Sequence, residues 1–356
     1  MQSEGAITKR RVTGVATLAM VGFAAHPCLC SAHHSTAEYD VRSVIEGRGR
    51  VVDVLWRNPH VRISVSTEDI DGVTRHWLLE GMDVMRLDRA GVPRDLVQAG
   101  DTVRFAGSPS TRRERRMYVT NLLLEDGTEI LLRAGAQPRW SERYLSSSQI
   151  VIDPARAAAD RSTGIFRIWV PAGRNVPEWA ADPPLTASAR AAHEAYDPIR
   201  DDPMLDCAPP GMPRVISRSG GHPIHFTKRD GNIVLQNEYF GLERVIHMGA
   251  HEDLRDRAPQ PLGHSAGRWE NGALVVTTTG IDWPLFDLYG LEGVPQSARM
   301  EIVERFTLSP RDRELIYDLA ATDPETFVGT VTAEGYLTFR WRPGMEFLPY
   351  ECVTDR

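Results

Sequence analysis

The sequence has no surplus of positive charge, few cysteines and no hydrophobic run of bilayer length, and each shortage removes a class of function. Lysine and arginine total 41 against 48 aspartates and glutamates, a formal net charge of −7. Such a chain repels phosphate backbones, so nucleic acid is not expected as a partner. A spanning helix needs about 20 apolar residues. The run from Val12 to Ala25 is shorter and no later one is long enough, so no membrane span is expected after processing. No phosphate loop, dinucleotide fingerprint or His-Glu-x-x-His occurs. Gly263-His264-Ser265-Ala266-Gly267 is not read as a nucleophile elbow, because it precedes a strand pattern where an elbow must enter a helix.

What is present at the start reads as an export signal. Lys9, Arg10 and Arg11 precede the apolar run, and Cys30-Ser31-Ala32 supplies small residues for cleavage. Residues 1–32 are therefore expected to be a signal peptide cut near Ala32, leaving the mature protein periplasmic or secreted. Three basic residues and one acidic residue leave with the signal, deepening the net charge to −9. Cys28 and Cys30 leave too. Cys207 and Cys352 remain, an even pair in an oxidising compartment, and a disulfide between them is predicted.

Residues 33–134 read as a first β module. Val44 to Trp56 forms a long strand broken by Gly47 and Gly49, where a small barrel can bend to close. Asn58-Pro59 turns the chain, and Val61, Ile63 and Val65 then alternate with polar residues at strand period. Thr74–Leu79 returns, Asp83–Arg89 is helical, and Thr102–Ala106 and Met117–Leu124 complete the set. Three strands, a helix and two strands is the order of a five-stranded OB-like barrel. Cleavage after Ala32 would place a free amine on His33, next to His34. An amine and a ring nitrogen from His33 with His34 or His60 make a tetragonal nitrogen set that suits copper(II), with His76 a weaker fourth ligand. Arg112, Arg113, Arg115 and Arg116 form the one basic cluster, expected on a solvated loop.

Ala32-His33-His34-Ser35, Gly49-Arg50-Val51-Val52 and Trp56-Arg57-Asn58-Pro59-His60 occur in order, followed by Trp77, Glu80, Arg86–Gly91, Gly100-Asp101 and Asp126-Gly127. This pattern resembles a family of exported bacterial domains of unknown function. The resemblance implies export and an OB-like barrel, and carries no activity. Leu262–Ser265, Gly267–Glu270, Leu274–Val276, Glu304–Phe306 and Thr322–Pro324 likewise resemble C-terminal regions found with that domain, again without a function.

Residues 135–220 hold eleven prolines, which suggests an extended surface connection with one short helix over Thr186–Tyr196. Trp140, Trp169 and Trp179 argue against disorder there. From residue 221 to 356 the pattern is about eight strands with short turns, Asn271-Gly272 being the strongest hairpin signal. That suits an antiparallel, lipocalin-like barrel, with a β-sandwich as the other architecture. Gly267-Arg268-Trp269 resembles the Gly-x-Trp of lipocalin-type barrels.

Glu304 shares an apolar strand face with Met300, Ile302 and Phe306, and Glu238 is a similar case. A buried carboxylate either titrates abnormally and moves protons or is held by a partner such as Arg244. His247 and His264 lie in the same strand set. Three functions follow as expectations. The first is binding of a small, largely apolar molecule in the second barrel. The second is acid–base catalysis of isomerase, hydratase or lyase type by Glu304, Glu238, His247 and His264. The third is copper binding at His33, His34 and His60.

Overall fold

A computed structural model describes residues 38–69, 71–249 and 257–352. The expected signal peptide, His33 and His34 lie outside them. The described residues belong to one compact unit.

The first barrel follows from where β1 can bend. β1 (Ile45–Leu55) pairs with β2 (Arg62–Glu68), which pairs with β3 (Thr74–Glu80). After α1 (Val84–Arg89), β4 (Thr102–Pro109) returns to β1, and β5 (Arg116–Leu124) pairs with β4 and, in parallel, with β3. The ring β1-β2-β3-β5-β4 closes, so the OB-like barrel is present. Both glycines of β1 are needed at close approaches. A Cβ at Gly47 would stand 2.4 Å from the Phe105 ring, and one at Gly49 would stand 2.3 Å from the Ser66 carbonyl. Asp83 caps α1, its carboxylate accepting the Arg86 N–H at 2.9 Å. Val84 and Leu87 of α1 pack on Ile63, Leu79, Phe105 and Val119.

The proline-rich segment departs from expectation, because it is shared between both barrels. β6 (Glu129–Leu131) and β7 (Tyr144–Ser146) extend the first sheet. Buried Glu129 holds their connection by accepting the N–H groups of Arg139, Trp140 and Ser141. α2 (Pro154–Ala159) is exposed, whereas β8 (Ile168–Arg174) is a strand of the second barrel. α3 (Ala187–Ala195) is capped by Thr186, and α4 (Arg214–Ser217) is entirely buried. Many prolines forbade a long helix or strand here, but not burial of short pieces.

The remaining strands are β9 (Ile224–Arg229), β10 (Asn232–Asn237), β11 (Leu242–Met248), β12 (His264–Glu270) and β13 (Ala273–Thr279). Then come the hairpin β14 (Leu285–Leu288) and β15 (Leu291–Pro295), followed by β16 (Glu301–Leu308), β17 (Glu314–Thr322) and β18 (Val331–Trp341). The ring runs β8-β9-β10-β11-β12-β13-β16-β17-β18 and closes on β8, which excludes the sandwich. It differs from eight sequential antiparallel strands in two ways. β8 supplies a ninth, and β11 pairs with β12 in parallel.

The middle of this barrel is filled. Phe226 on β9 and Phe306 on β16 stand on opposite sides of the ring, yet their centroids are 5.1 Å apart. Tyr317 lies 5.0 Å from Phe306, and Tyr336 lies 6.4 Å from Tyr317. All four rings are fully buried. Each contributes roughly 1.5–3 kcal/mol by leaving water, so this level of the lumen is core rather than a ligand chamber. At the end where β10 turns into β11, α4 and the β14–β15 hairpin close the barrel, with Tyr336 Oη donating to the Ser217 carbonyl at 3.0 Å.

Candidate functional site

Glu304 is fully buried and crosses the same lumen. Arg244 of β11 donates to its Oε2 at 2.6 Å, and Tyr317 donates to Oε1 at 3.1 Å. Burial first, and then the adjacent carboxylate, push the Tyr317 phenol well above its usual range. The second Arg244 nitrogen meets the Met212 sulfur at 2.8 Å. Neither histidine expected to work with Glu304 reaches it. His247 alternates with inward Arg244 and Ile246 and shares the outer face with Val245, which is 39% exposed. His264 alternates with buried Ser265, and its Nε2 meets the Ala258 carbonyl at 2.8 Å. On a strand, adjacent residues face opposite sides, so both imidazoles are outside the wall that contains Glu304. Ser265 is also no nucleophile. It lies within β12 with its Oγ 2.9 Å from Thr278 Oγ1.

Glu238, by contrast, meets a histidine. It follows β10, is almost fully buried, and its Oε1 lies 3.1 Å from His222 Nδ1. Its Oε2 accepts the Leu348 N–H at 2.7 Å and is also bonded by Arg89 of α1. The ring of His222 stacks on Tyr239, with centroids 5.1 Å apart and planes 16° from parallel, and its edge meets Tyr350. The first barrel reaches this point through α1, whose Arg86 bonds the Gly220 carbonyl. Gly221 has φ +95°, and a Cβ there would collide with the Arg86 guanidinium, so the turn before His222 requires glycine.

His222 opens into a cleft of about 650 Å³ where the two barrels meet. From the first barrel come Tyr39, His60, Met82 and Asp83. From the second part come His193, Tyr196, Arg214, Arg218, Tyr239, Tyr289 and Tyr350. The walls are held by ion pairs beneath them. Arg214 is buried between Asp202, at 2.7 Å, and Asp287, at 2.9 Å. Burial disfavours its charge, but these carboxylates outweigh burial and raise its pKa. Gly293 lets Tyr196 pack against β15, since a Cβ there would stand 2.1 Å from the ring.

On the opposite wall Tyr39 donates to Glu80 at 2.6 Å. His60 has its Nδ1 2.9 Å from the Gly81 carbonyl and its Nε2 4.0 Å from Glu80. No group of three metal-ligating side chains exists among the described residues. Of His33, His34 and His60, only His60 lies among the described residues, and one of its nitrogens is already engaged.

Arg112 and Arg115 of the arginine cluster are exposed on the loop before β5, as expected, whereas Arg113 is half-buried and Arg116 buried. Arg113 binds buried Glu38, Arg116 lies 3.6 Å from Glu80, and Arg112 binds Asp197 at 2.8 Å across the junction. A groove of about 820 Å³ lies at the other end of the second barrel, between the Lys228–Ile233 turn and Gly267–Trp269. Its Arg229 and Arg268 are held by Glu243 and Glu270, and Trp269 is half exposed on the outer surface. The groove gathers none of the histidines singled out above.

The tyrosines of the cleft make a pH prediction. Burial first, and nearby charges second, raise the phenols of Tyr39, Tyr196, Tyr239 and Tyr350 beyond their usual value, and Tyr118 beneath His60 is pushed up to about 12. Unfolded tyrosines ionise near pH 10. A folded-state pKa raised above that value contributes stability in full below about pH 10, and this is lost as pH rises further. Tyrosinate absorbance and loss of circular dichroism are therefore expected to rise together in one alkaline transition. Phenolate appearing while the fold persists would contradict the burial of these rings.

Sequence reasoning selected Glu238 and His60, and overlooked His222, Arg89 and the tyrosines. In the sequence His222 stands three residues before His225, a spacing that on a strand points the two rings to opposite faces. Its partner came from another element.

Residues 21–117 match the model described as a family of unknown function (DUF6152). No curated protein and no solved structure matches the chain.

Proposed function

We propose that this chain is an exported protein that binds a small, hydroxylated and largely aromatic molecule in the cleft between its barrels. The observation that carries this reading is the convergence of tyrosines and histidines from both barrels on one cavity of about 650 Å³, a ligand-sized volume at a domain junction. Tyr39, Tyr196, Tyr239, Tyr289 and Tyr350 present their rings to it, which favours flat ligands. The cations and carboxylates beneath it are largely paired with one another, which favours a neutral one. The expected ligand in the barrel lumen moves to the cleft because aromatic rings occupy the lumen. Export is supported by Lys9–Arg11, the apolar run after them, and the disulfide between Cys207 and Cys352.

The test is a thermal-shift and equilibrium-dialysis panel of phenols and naphthols on the full mature chain. A ligand at 100 times its dissociation constant stabilises the fold by about 2.7 kcal/mol. Val41, 52% exposed, lines the cleft without belonging to a core. V41W is expected to fold normally and lose the shift. A shift that V41W retains would place the ligand elsewhere, and no binding across the panel would overturn the ligand class.

A further inference from the structure

We infer that His222 Nε2 is the proton acceptor for the hydroxyl of that aromatic ligand, with Glu238 as the residue that positions it. The inference rests on the cleft being the binding site. Among ring nitrogens near the cleft, His222 alone is set by a carboxylate at hydrogen-bond distance. An ionised carboxylate only accepts hydrogen bonds. Glu238 faces His222 Nδ1 on one oxygen and the Leu348 N–H and Arg89 on the other. The ring proton of neutral His222 is therefore on Nδ1, and Nε2 carries a lone pair.

Nε2 has no partner among the described residues, and His222 lines the cleft. The ring cannot turn away, because Tyr239 lies flat on one face and Tyr350 meets it at 86°. Gly220 places no side chain beside that edge. Its missing Cβ would lie 3.9 Å from Nε2. A hydroxyl presented there can give up its proton. The O–H bond breaks, its electron pair stays on the oxygen, and the proton bonds to Nε2. The product is an aryloxide beside an imidazolium that Glu238 stabilises through Nδ1, and no further reactant is required.

The probe is 4-nitrophenol, whose phenolate is yellow, titrated into the full mature chain at a pH where the free probe is mostly neutral. Binding is read by dialysis, and ionisation by the colour of the bound fraction. In the wild type the phenolate-to-phenol ratio of bound probe is expected to exceed the free ratio by about tenfold, one pKa unit. H222Q, which keeps a donor toward Glu238, is expected to bind the probe without the colour. E238Q is expected to bind it with reduced colour. H222Q alone decides if E238Q does not fold. Bound probe that stays neutral in the wild type, or equal colour in H222Q, overturns the proton acceptor and leaves the cleft reading standing. No binding, or binding unaffected by V41W, overturns the cleft and this inference together.

Discussion

Reducing the Cys207–Cys352 bridge lowers the stability of the folded chain by about 5 kcal/mol, the figure the chain-entropy model assigns to a loop of this length. The bridged cysteines are 145 residues apart, and the loop contains most of the second barrel. The loss is more than entropy of an isolated tether, because the tail ending at Cys352 carries several contacts. Leu348 donates to Glu238, Tyr350 edges His222, and Cys352 makes a bridge with Asn58 of the first module. Without the covalent bond those contacts must hold a free chain end. Urea unfolding with and without reductant, and of the double variant C207S/C352S, measures the effect. The reduced protein and the double variant should agree in midpoint. A difference below about 1 kcal/mol from the oxidised wild type would mean that the tail is fastened by its contacts alone. Because the tail also supports His222, the reduced protein should bind phenols more weakly before it unfolds.

The same contrast between covalent pattern and assembled contact explains which parts of the molecule could be read from its sequence. The first barrel was legible because each of its devices is local. Gly47 and Gly49 mark the bend, Val61, Ile63 and Val65 show period two, and Asp83 announces the helix. The disulfide was legible from counting two cysteines. β8 was not, because Phe166, Trp169 and Pro171 sit in a proline-rich stretch, and only closure of the ring against β18 gives that stretch a partner. Pro171 is tolerated there opposite Phe339, at a register shift. The candidate site was half legible. Alternation placed Glu304 inward, correctly; His247 and His264 were grouped with it by strand membership alone, although each alternates with inward residues of its own strand and faces the other side of the wall. The Glu238–His222 pair joins two loops and is completed by Arg89, 149 residues earlier. No periodicity carries such a contact.

Removing the Glu304 carboxylate while keeping its shape, as E304Q, is expected to destabilise the protein by about 3–5 kcal/mol, the cost of leaving a buried charge without its counter-ion. Arg244 is the charge left behind. It is 5% exposed, its Nη2 bonds Glu304, its Nη1 meets only a methionine sulfur, and its Nε has no acceptor among the described residues. The amide can still accept from Tyr317 but cannot neutralise a guanidinium. The decisive comparison is the double variant E304L/R244M, which replaces the pair by apolar groups of similar length among Phe306, Ile246 and Met212. Buried pairs exchanged as a unit are often neutral or stabilising, so the double variant should recover most of what E304Q loses. Denaturant midpoints of the wild type, E304L, R244M and E304L/R244M close the cycle, with E304Q measured beside them. If E304Q matches the wild type, the carboxylate is not the counter-ion of Arg244. If the double variant is no better than E304Q, Glu304 has a further role inside the barrel. The cycle also separates the two carboxylates first suspected of chemistry. E304L/R244M should ionise bound 4-nitrophenol as the wild type does, because Glu304 only braces the wall, while E238Q should ionise it less, because Glu238 acts on the ligand through His222.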